Sequence, residues 1–226
     1  MELTKEQKEQ LLEKLLSIIS DHKNQLFDKV IKERTRYLTV VLEDIYQPQN
    51  ASAVLRTADC FGIQDVHIIE NRNEYMINPE VALGASKWLS LHRYAESENN
   101  SLKAIKKLKK EGYRIVATMP HTDDIMIQDL DMNQKTALFF GTEISGLSEV
   151  VTKHADLFVK IPMYGFTESY NISVSAALCL QHLTTKMRKA DVNWELNESE
   201  VLDVKLDWAR SVVRESKKVE KALFEK

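Results

Sequence analysis

The spacing of hydrophobic positions changes repeatedly along the chain. Leu11, Leu12, Leu15, Leu16, Ile18 and Ile19 form an apolar stripe flanked by charge, the mark of an amphipathic helix within residues 1–36. YLTVVLEDI (37–45) is instead a continuous β-rich run. From there strands and helices alternate. ASAVLRTADCF has helical spacing and ends at Gly62, a natural helix terminator, and the strand-like DVHIIE follows. VALGASKW predicts a short helix and LSLHRY a strand. SLKAIKKLKKE predicts a helix closed by Gly112, followed by the strand RIVATM. TALFFG, LSEVVTKHA, LFVKI and YNISVSAALCLQHLTTKM predict a strand, a helix, a strand and a long helix. The charged tail after Lys189, ending in KLDWARSVVRESKKVEKALFEK, predicts a further helix. This alternation implies an α/β fold, a parallel sheet with helices on both faces. The expected organisation is an N-terminal helical extension over 1–36, the sheet domain over 37–188 and a C-terminal helical extension over 189–226.

Composition narrows the function. A chain of 226 residues with 43% hydrophobic and 29% charged residues suits a globular protein. No apolar run approaches the roughly 20 residues that span a bilayer, so no membrane partner is expected. The opening MELTKEQKEQ is charged and lacks the apolar core of a secretory signal. The two cysteines, Cys60 and Cys179, fall in different predicted helices and read as reduced thiols, which suits a cytoplasmic location. The net charge of −3 gives no global attraction to nucleic acid, so RNA binding would need local basic clusters.

Familiar signatures are absent. The six glycines build neither G-x-G-x-x-G nor a P-loop, and there is no G-x-S-x-G elbow. The six histidines are scattered without metal-ligand spacing, and no metal site is expected. The prolines say more. Pro48, Pro120 and Pro162 each follow a predicted strand, whereas Pro79 lies in a loop before a helix. Ligands of open α/β sheets sit at the carboxyl ends of strands. The loops holding Asn50, His121 and Ser169 are therefore expected on one edge.

Three stretches stand out. In QPQNASAVLRTAD (47–59), Asn50 is placed to cap the following helix. Ala51, Val54, Leu55, Ala58 and Phe61 form that helix's buried face and Arg56 lies off it. In FFGTEISGL (139–147), Gly141 and Gly146 allow close backbone approach, and Glu143 stands at the mouth of a buried strand. In IPMYGFTESYNISVSAAL (161–178), Ile161, Met163 and Tyr170 offer an apolar seat for an adenine-like ring, with Ser169 and Asn171 as donors and acceptors. Each stretch alone also fits an ordinary turn or cap; in the third, Ser169 would be the capping residue.

Together, N-x-x-A-x-x-R-T-A, G-x-E-x-x-G-L and I-P-M-x-G-x-x-x-S-x-N-x-S-V-S-A, in this order and spacing, resemble the three motifs of the SPOUT superfamily of RNA methyltransferases. The resemblance is to its TrmH (SpoU) branch of ribose 2′-O-methyltransferases, and it covers roughly residues 37–187. Tyr170 departs from it, standing where leucine is usual. The resemblance implies a C-terminal trefoil knot, a homodimer, S-adenosyl-L-methionine as cofactor with S-adenosylhomocysteine as product, and tRNA as substrate, methylated at a D-loop guanosine. Ribosomal RNA methylation and a non-catalytic RNA-binding protein are the alternatives. It implies a catalytic set of Arg56, Asn50, Glu143, Ser169 and Asn171. Arg56 acts either as a base or as a holder of the neighbouring phosphate. Cofactor contacts are implied at Thr118, Gly141, Ile161, Met163 and Tyr170. Lys32, Arg34, Arg36, Lys186 and Arg188 are the candidate RNA contacts.

Overall fold

The computed structural model describes residues 3–120 and 125–224. His121, expected at the ligand edge, lies outside the described residues. The chain divides into two compact units, one of Met1–Arg34 with Glu195–Lys226, the other of Thr35–Trp194.

The first unit is helical: α1 (Lys5–Leu16), α2 (Asp21–Val30), α8 (Glu198–Val212) and α9 (Ser216–Phe224). Thr4 with Gln7 and Asn197 with Glu200 form capping boxes that start α1 and α8. The apolar stripe is realised in part: Leu11 and Leu15 are fully buried and Leu12 and Leu16 half-buried, while Ile18 lies past the end of α1 and is exposed. Lys8 Nζ reaches Asp203 at 2.7 Å, and Phe27 meets the edge of Trp208 with ring centroids 5.4 Å apart. The single tail helix expected from sequence is two. The break falls before Ser216, where Glu215 takes a left-handed φ of 65°.

The second unit is the sheet domain. Its strands are β1 (Leu38–Glu43), β2 (Asp65–Ile69), β3 (Ser90–Tyr94), β4 (Arg114–Thr118), β5 (Ile125–Met126), β6 (Thr136–Phe140) and β7 (Leu157–Lys160). They form one sheet in the order β3-β2-β1-β6-β4-β7-β5. Every pairing is parallel, the arrangement the alternating sequence implies. The helices are α3 (Pro48–Cys60), α4 (Pro79–Ala82), α5 (Asn100–Lys110), α6 (Glu149–His154) and α7 (Ile172–Met187).

Period-two alternation on β1 sorts the two faces. Leu38, Val40 and Leu42 pack with residues of α3 and α7. Val41 faces the other way, with residues of α5 and α6. Both faces are covered, so β1, β2 and β6 are buried along their whole length, and β1 and β6 read as largely apolar runs. VALGASKW is not one helix. α4 stops at left-handed Leu83 (φ 46°) and Gly84 (φ 80°), and a 3₁₀ turn follows over Ala85–Lys87. β5 has only two residues, too few to show a period in sequence.

Candidate functional site

The carboxyl ends of β4, β6 and β7 frame a cleft of about 420 Å³, within the range of small-ligand sites. Thr118, Gly141, Ile161, Met163 and Tyr170 all line it, and so do Glu143 and Ser169. Thr118 closes β4 onto β6 by donating its hydroxyl to the Phe139 carbonyl at 2.7 Å. Tyr170 donates its hydroxyl to the Pro162 carbonyl at 3.3 Å, which draws the two ends of its loop together. Gly146, expected to allow close backbone approach, lines the cleft, and so do Thr142, Ser145, Lys160 and Glu168. Sequence reasoning missed the last four as ligand contacts, although each directly follows or ends a strand or lies inside a quoted motif.

The loop after β6 is a tight turn. Thr142 and Gly146 exchange both backbone hydrogen bonds at 3.0 Å, and Gly146 has φ 66°. Thr142 Oγ1 accepts from the Ser145 amide at 3.0 Å. A Cβ on Gly141 would lie 2.2 Å from the Gly146 carbonyl carbon. Only glycine fits there, and the turn can fold back against its own origin.

The turn holds Glu143 among side chains from two other elements. Glu143 Oε1 accepts from Asn50 Nδ2 at 2.7 Å and from Asn171 Nδ2 at 2.8 Å. Asn171 Nδ2 also reaches Asn50 Oδ1 at 3.1 Å. Both expected caps are corrected. Gln47 is the N-cap of α3 and Pro48 follows it, so Asn50 lies inside the first turn, and its amide also meets Gln47 Oε1 at 3.0 Å. Asn171, not Ser169, caps α7, accepting from the Ser173 amide at 2.8 Å and hydroxyl at 2.6 Å. Ser169 is left exposed in the cleft wall.

Arg56 is exposed on α3 and forms no ion pair or side-chain hydrogen bond with any described residue. Asn50 therefore orients Glu143 and Asn171 and does not hold Arg56. The guanidinium is uncommitted.

Four of the five candidate RNA contacts have partners within the chain. Arg34 is 2% exposed, its guanidinium 5.3 Å from the centre of the Trp208 ring. Arg36 pairs with Asp65 at 3.1 Å. Lys186 donates to the Gln128 carbonyl at 3.0 Å, and Arg188 stacks 4.4 Å over Trp194. Lys32 alone of the five is exposed.

Two of the scattered histidines meet. Parallel pairing sets His67 opposite His92, with ring centroids 4.5 Å apart. Burial pushes the His67 pKa down to about 3, helped by the neighbouring His92. His67 Nδ1 lies 2.9 Å from the Tyr94 hydroxyl. Among the described residues no group of His, Cys, Asp or Glu is placed to hold a metal ion, and no helix is long and apolar enough to cross a membrane.

A cleft at the carboxyl edge of an open parallel sheet, with a carboxylate gripped by two amides beside it, marks a ligand-binding α/β protein. The chain belongs to the SpoU rRNA Methylase family, whose model matches residues 37–181. It is 48% identical to a tRNA (guanosine(18)-2′-O)-methyltransferase of Borreliella burgdorferi over 200 residues, 88% of this chain and 90% of that protein. Identity to the enzyme of the same name from Thermus thermophilus is 32%, over 76% of this chain and 86% of the relative. Among solved structures, the A. aeolicus TrmH/SpoU tRNA modifying enzyme superposes with a TM-score of 0.75 at 25% identity, covering 86% of this chain and 98% of that one.

Proposed function

We propose that this protein methylates the ribose 2′-oxygen of a D-loop guanosine in tRNA, with S-adenosyl-L-methionine as methyl donor and S-adenosylhomocysteine as product. The observation that carries the reading is the meeting of Asn50, Glu143 and Asn171, one from each motif, beside a cleft lined by all five expected cofactor residues. The names of the relatives, guanosine(18) of tRNA, support the target.

The cleft suits the cofactor in size and character. Ile161, Met163 and Tyr170 supply apolar surface for an adenine ring, and the Cβ-less Gly141 keeps the turn tight beside it. The bound cofactor supplies a methyl group already activated on a sulfonium, so the chain's task is to place the 2′-hydroxyl and remove its proton. Arg56 is a poor base, because a guanidinium gives up its proton very reluctantly. Its exposed fork instead takes the phosphate beside the target ribose and stabilises charge developing on the 2′-oxygen. Glu143 is the proton acceptor. Its Oε1 is occupied by two amides and its Oε2 accepts from no described residue, so one oxygen is fixed and the other is open. Ser169 presents its hydroxyl from the cleft wall, and Lys32 contributes to phosphate binding outside the sheet domain.

The active form is a homodimer acting in the cytoplasm. α7 buries Ala176, Cys179, Leu180 and Leu183, yet Val174 and Leu178 on its opposite side are exposed. Ile144, Tyr164 and Phe166 near the cleft are exposed too, a concentration of apolar surface that a second copy would cover. Leu178→Lys should give monomers in sedimentation analysis.

The test is transfer of labelled methyl from the cofactor to unmodified tRNA transcripts and to ribosomal RNA fragments, side by side. Label in tRNA supports the proposal, label confined to ribosomal RNA moves the target, and cofactor binding without transfer to either points to an RNA-binding role.

A further inference from the structure

Glu43 ends β1, and strand alternation turns its side chain to the α5–α6 face of the sheet, as it does Val41. The residue is 2% exposed, and among the described residues its carboxylate pairs with no cation. Neutral donors satisfy it instead. Oε2 accepts from the Ser148 amide at 2.8 Å, and Oε1 accepts from the Ser148 hydroxyl at 2.7 Å and from the Ser101 hydroxyl. Ser148 is the N-cap of α6, where its Oγ also accepts from the Val151 amide at 3.3 Å.

These contacts lie at the end of the cleft turn. The turn leaves β6 at Gly141, carries Glu143, and closes at Gly146 through its pairing with Thr142. Ser148 is two residues on. Its amide and hydroxyl are held by two different oxygens of one buried carboxylate, which fixes both its position and its orientation. A buried charge with no cation is costly unless its donors are complete, so this contact has one favourable geometry. The adjacent Asp44, at a left-handed φ of 54°, accepts from the Asn71 amide at 2.7 Å, and Asn71 Nδ2 donates to Ser101 Oγ at 2.8 Å. The end of β1 is thereby braced on both sides.

We propose that Glu43 is a positioning residue for methyl transfer. Acting through Ser148, it sets the cleft turn so that Glu143 meets Asn50 and Asn171. The proposal rests on the enzymatic reading above.

The test compares Glu43→Gln and Ser148→Ala with Ser101→Ala. The last removes a partner of the same carboxylate on the α5 side, away from the turn. In Glu43→Gln an amide NH2 must face either the Ser148 N–H or the two hydroxyls. Measured where each variant is folded by circular dichroism, Glu43→Gln and Ser148→Ala should lower kcat at least about tenfold. They should also speed amide exchange at Thr142–Leu147. Ser101→Ala should keep kcat within about twofold even if its Tm falls. Adding Glu143→Gln to Glu43→Gln should cost less than Glu143→Gln costs alone. Unchanged kcat and turn exchange in folded Glu43→Gln would overturn the proposal. So would losses that merely track Tm across the three variants. If Glu43→Gln does not fold, Ser148→Ala decides on the same two readouts. If the unsubstituted protein methylates no RNA, the enzymatic reading fails, and exchange in the turn still decides whether Glu43 positions it.

Discussion

Asn171 donates its side-chain amide to Asn50 at 3.1 Å across 121 residues of sequence. Both also donate to Glu143 Oε1. Hydrogen bonds to a charged acceptor are worth about 1.5–3 kcal/mol each, so two on one oxygen hold the carboxylate firmly. The second oxygen is left to meet a substrate. The contact also ties the first turn of α3 to the cap of α7, two helices on the same face of the sheet.

Arg56→Ala should reduce methyl transfer by about a hundredfold or more, the usual cost of losing a group that stabilises developing charge. Cofactor affinity, measured by calorimetry, should be unchanged, because Arg56 does not line the cleft. Arg56→Lys should recover little activity, since a point charge does not reproduce the fork. Recovery close to the parent rate would mean that charge alone suffices.

Asn171→Ala removes an N-cap and one of Glu143's two amide donors together. The cap should cost about 1 kcal/mol, or about 2–4 °C in Tm. The kcat loss should exceed what that destabilisation explains. Glu143→Gln should keep Tm within a degree or so of the parent yet remove nearly all transfer, because an amide cannot take the proton. Equal kcat in Glu143→Gln and the parent would exclude Glu143 as proton acceptor.

Gly141→Ala should abolish cofactor binding while the sheet still folds. The added methyl would sit 2.2 Å from a backbone carbon, and the backbone can yield only by opening the turn. Calorimetry with S-adenosylhomocysteine reads this directly; parent-like affinity would mean the turn tolerates opening.

The His67 cluster predicts acid lability. Folded His67 stays neutral down to about 3, because burial disfavours its charged form, whereas an unfolded histidine takes up a proton near 6.5. Its contribution is therefore complete above pH 6.5 and declines as pH falls from 6.5 toward 3, at up to about 1.4 kcal/mol per pH unit. Burial alone would raise the Asp65 carboxyl, but His92, 3.3 Å away, and Arg36 hold it below its ordinary value, so its contribution is lost in turn at lower pH. Urea unfolding at pH 7.5, 6 and 5 should show the fall, and His67→Gln should flatten it. A pH-independent midpoint would contradict this.

The strands were legible because both faces of the sheet are buried and the runs are uninterrupted: TALFFG and LFVKI lie over β6 and β7 with at most a residue's difference. The cleft residues were legible chiefly through the motif resemblance, which implied Thr118, Gly141, Ile161, Met163 and Tyr170, all of which line the cleft. Which partner each side chain meets was not. Asn50 and Asn171 are joined by strand order, which sequence spacing does not encode. Arg34 and Arg36 read as a basic cluster, yet Trp208 and Asp65 claim them through contacts distant in sequence. Nothing in the sequence marks Glu43, because the serines that satisfy it lie 58 and 105 residues away. The single tail helix failed at Glu215, whose left-handed φ no helix propensity signals.

The central claim is 2′-O-methylation of a tRNA D-loop guanosine. The most direct measurement is nuclease digestion and mass spectrometry of a tRNA transcript incubated with this protein and the cofactor, alongside Arg56→Ala. A single ribose methyl on guanosine 18 with the parent protein, absent with Arg56→Ala, is the predicted result. A methyl group on a base, on another nucleotide, or present equally with both proteins would contradict it.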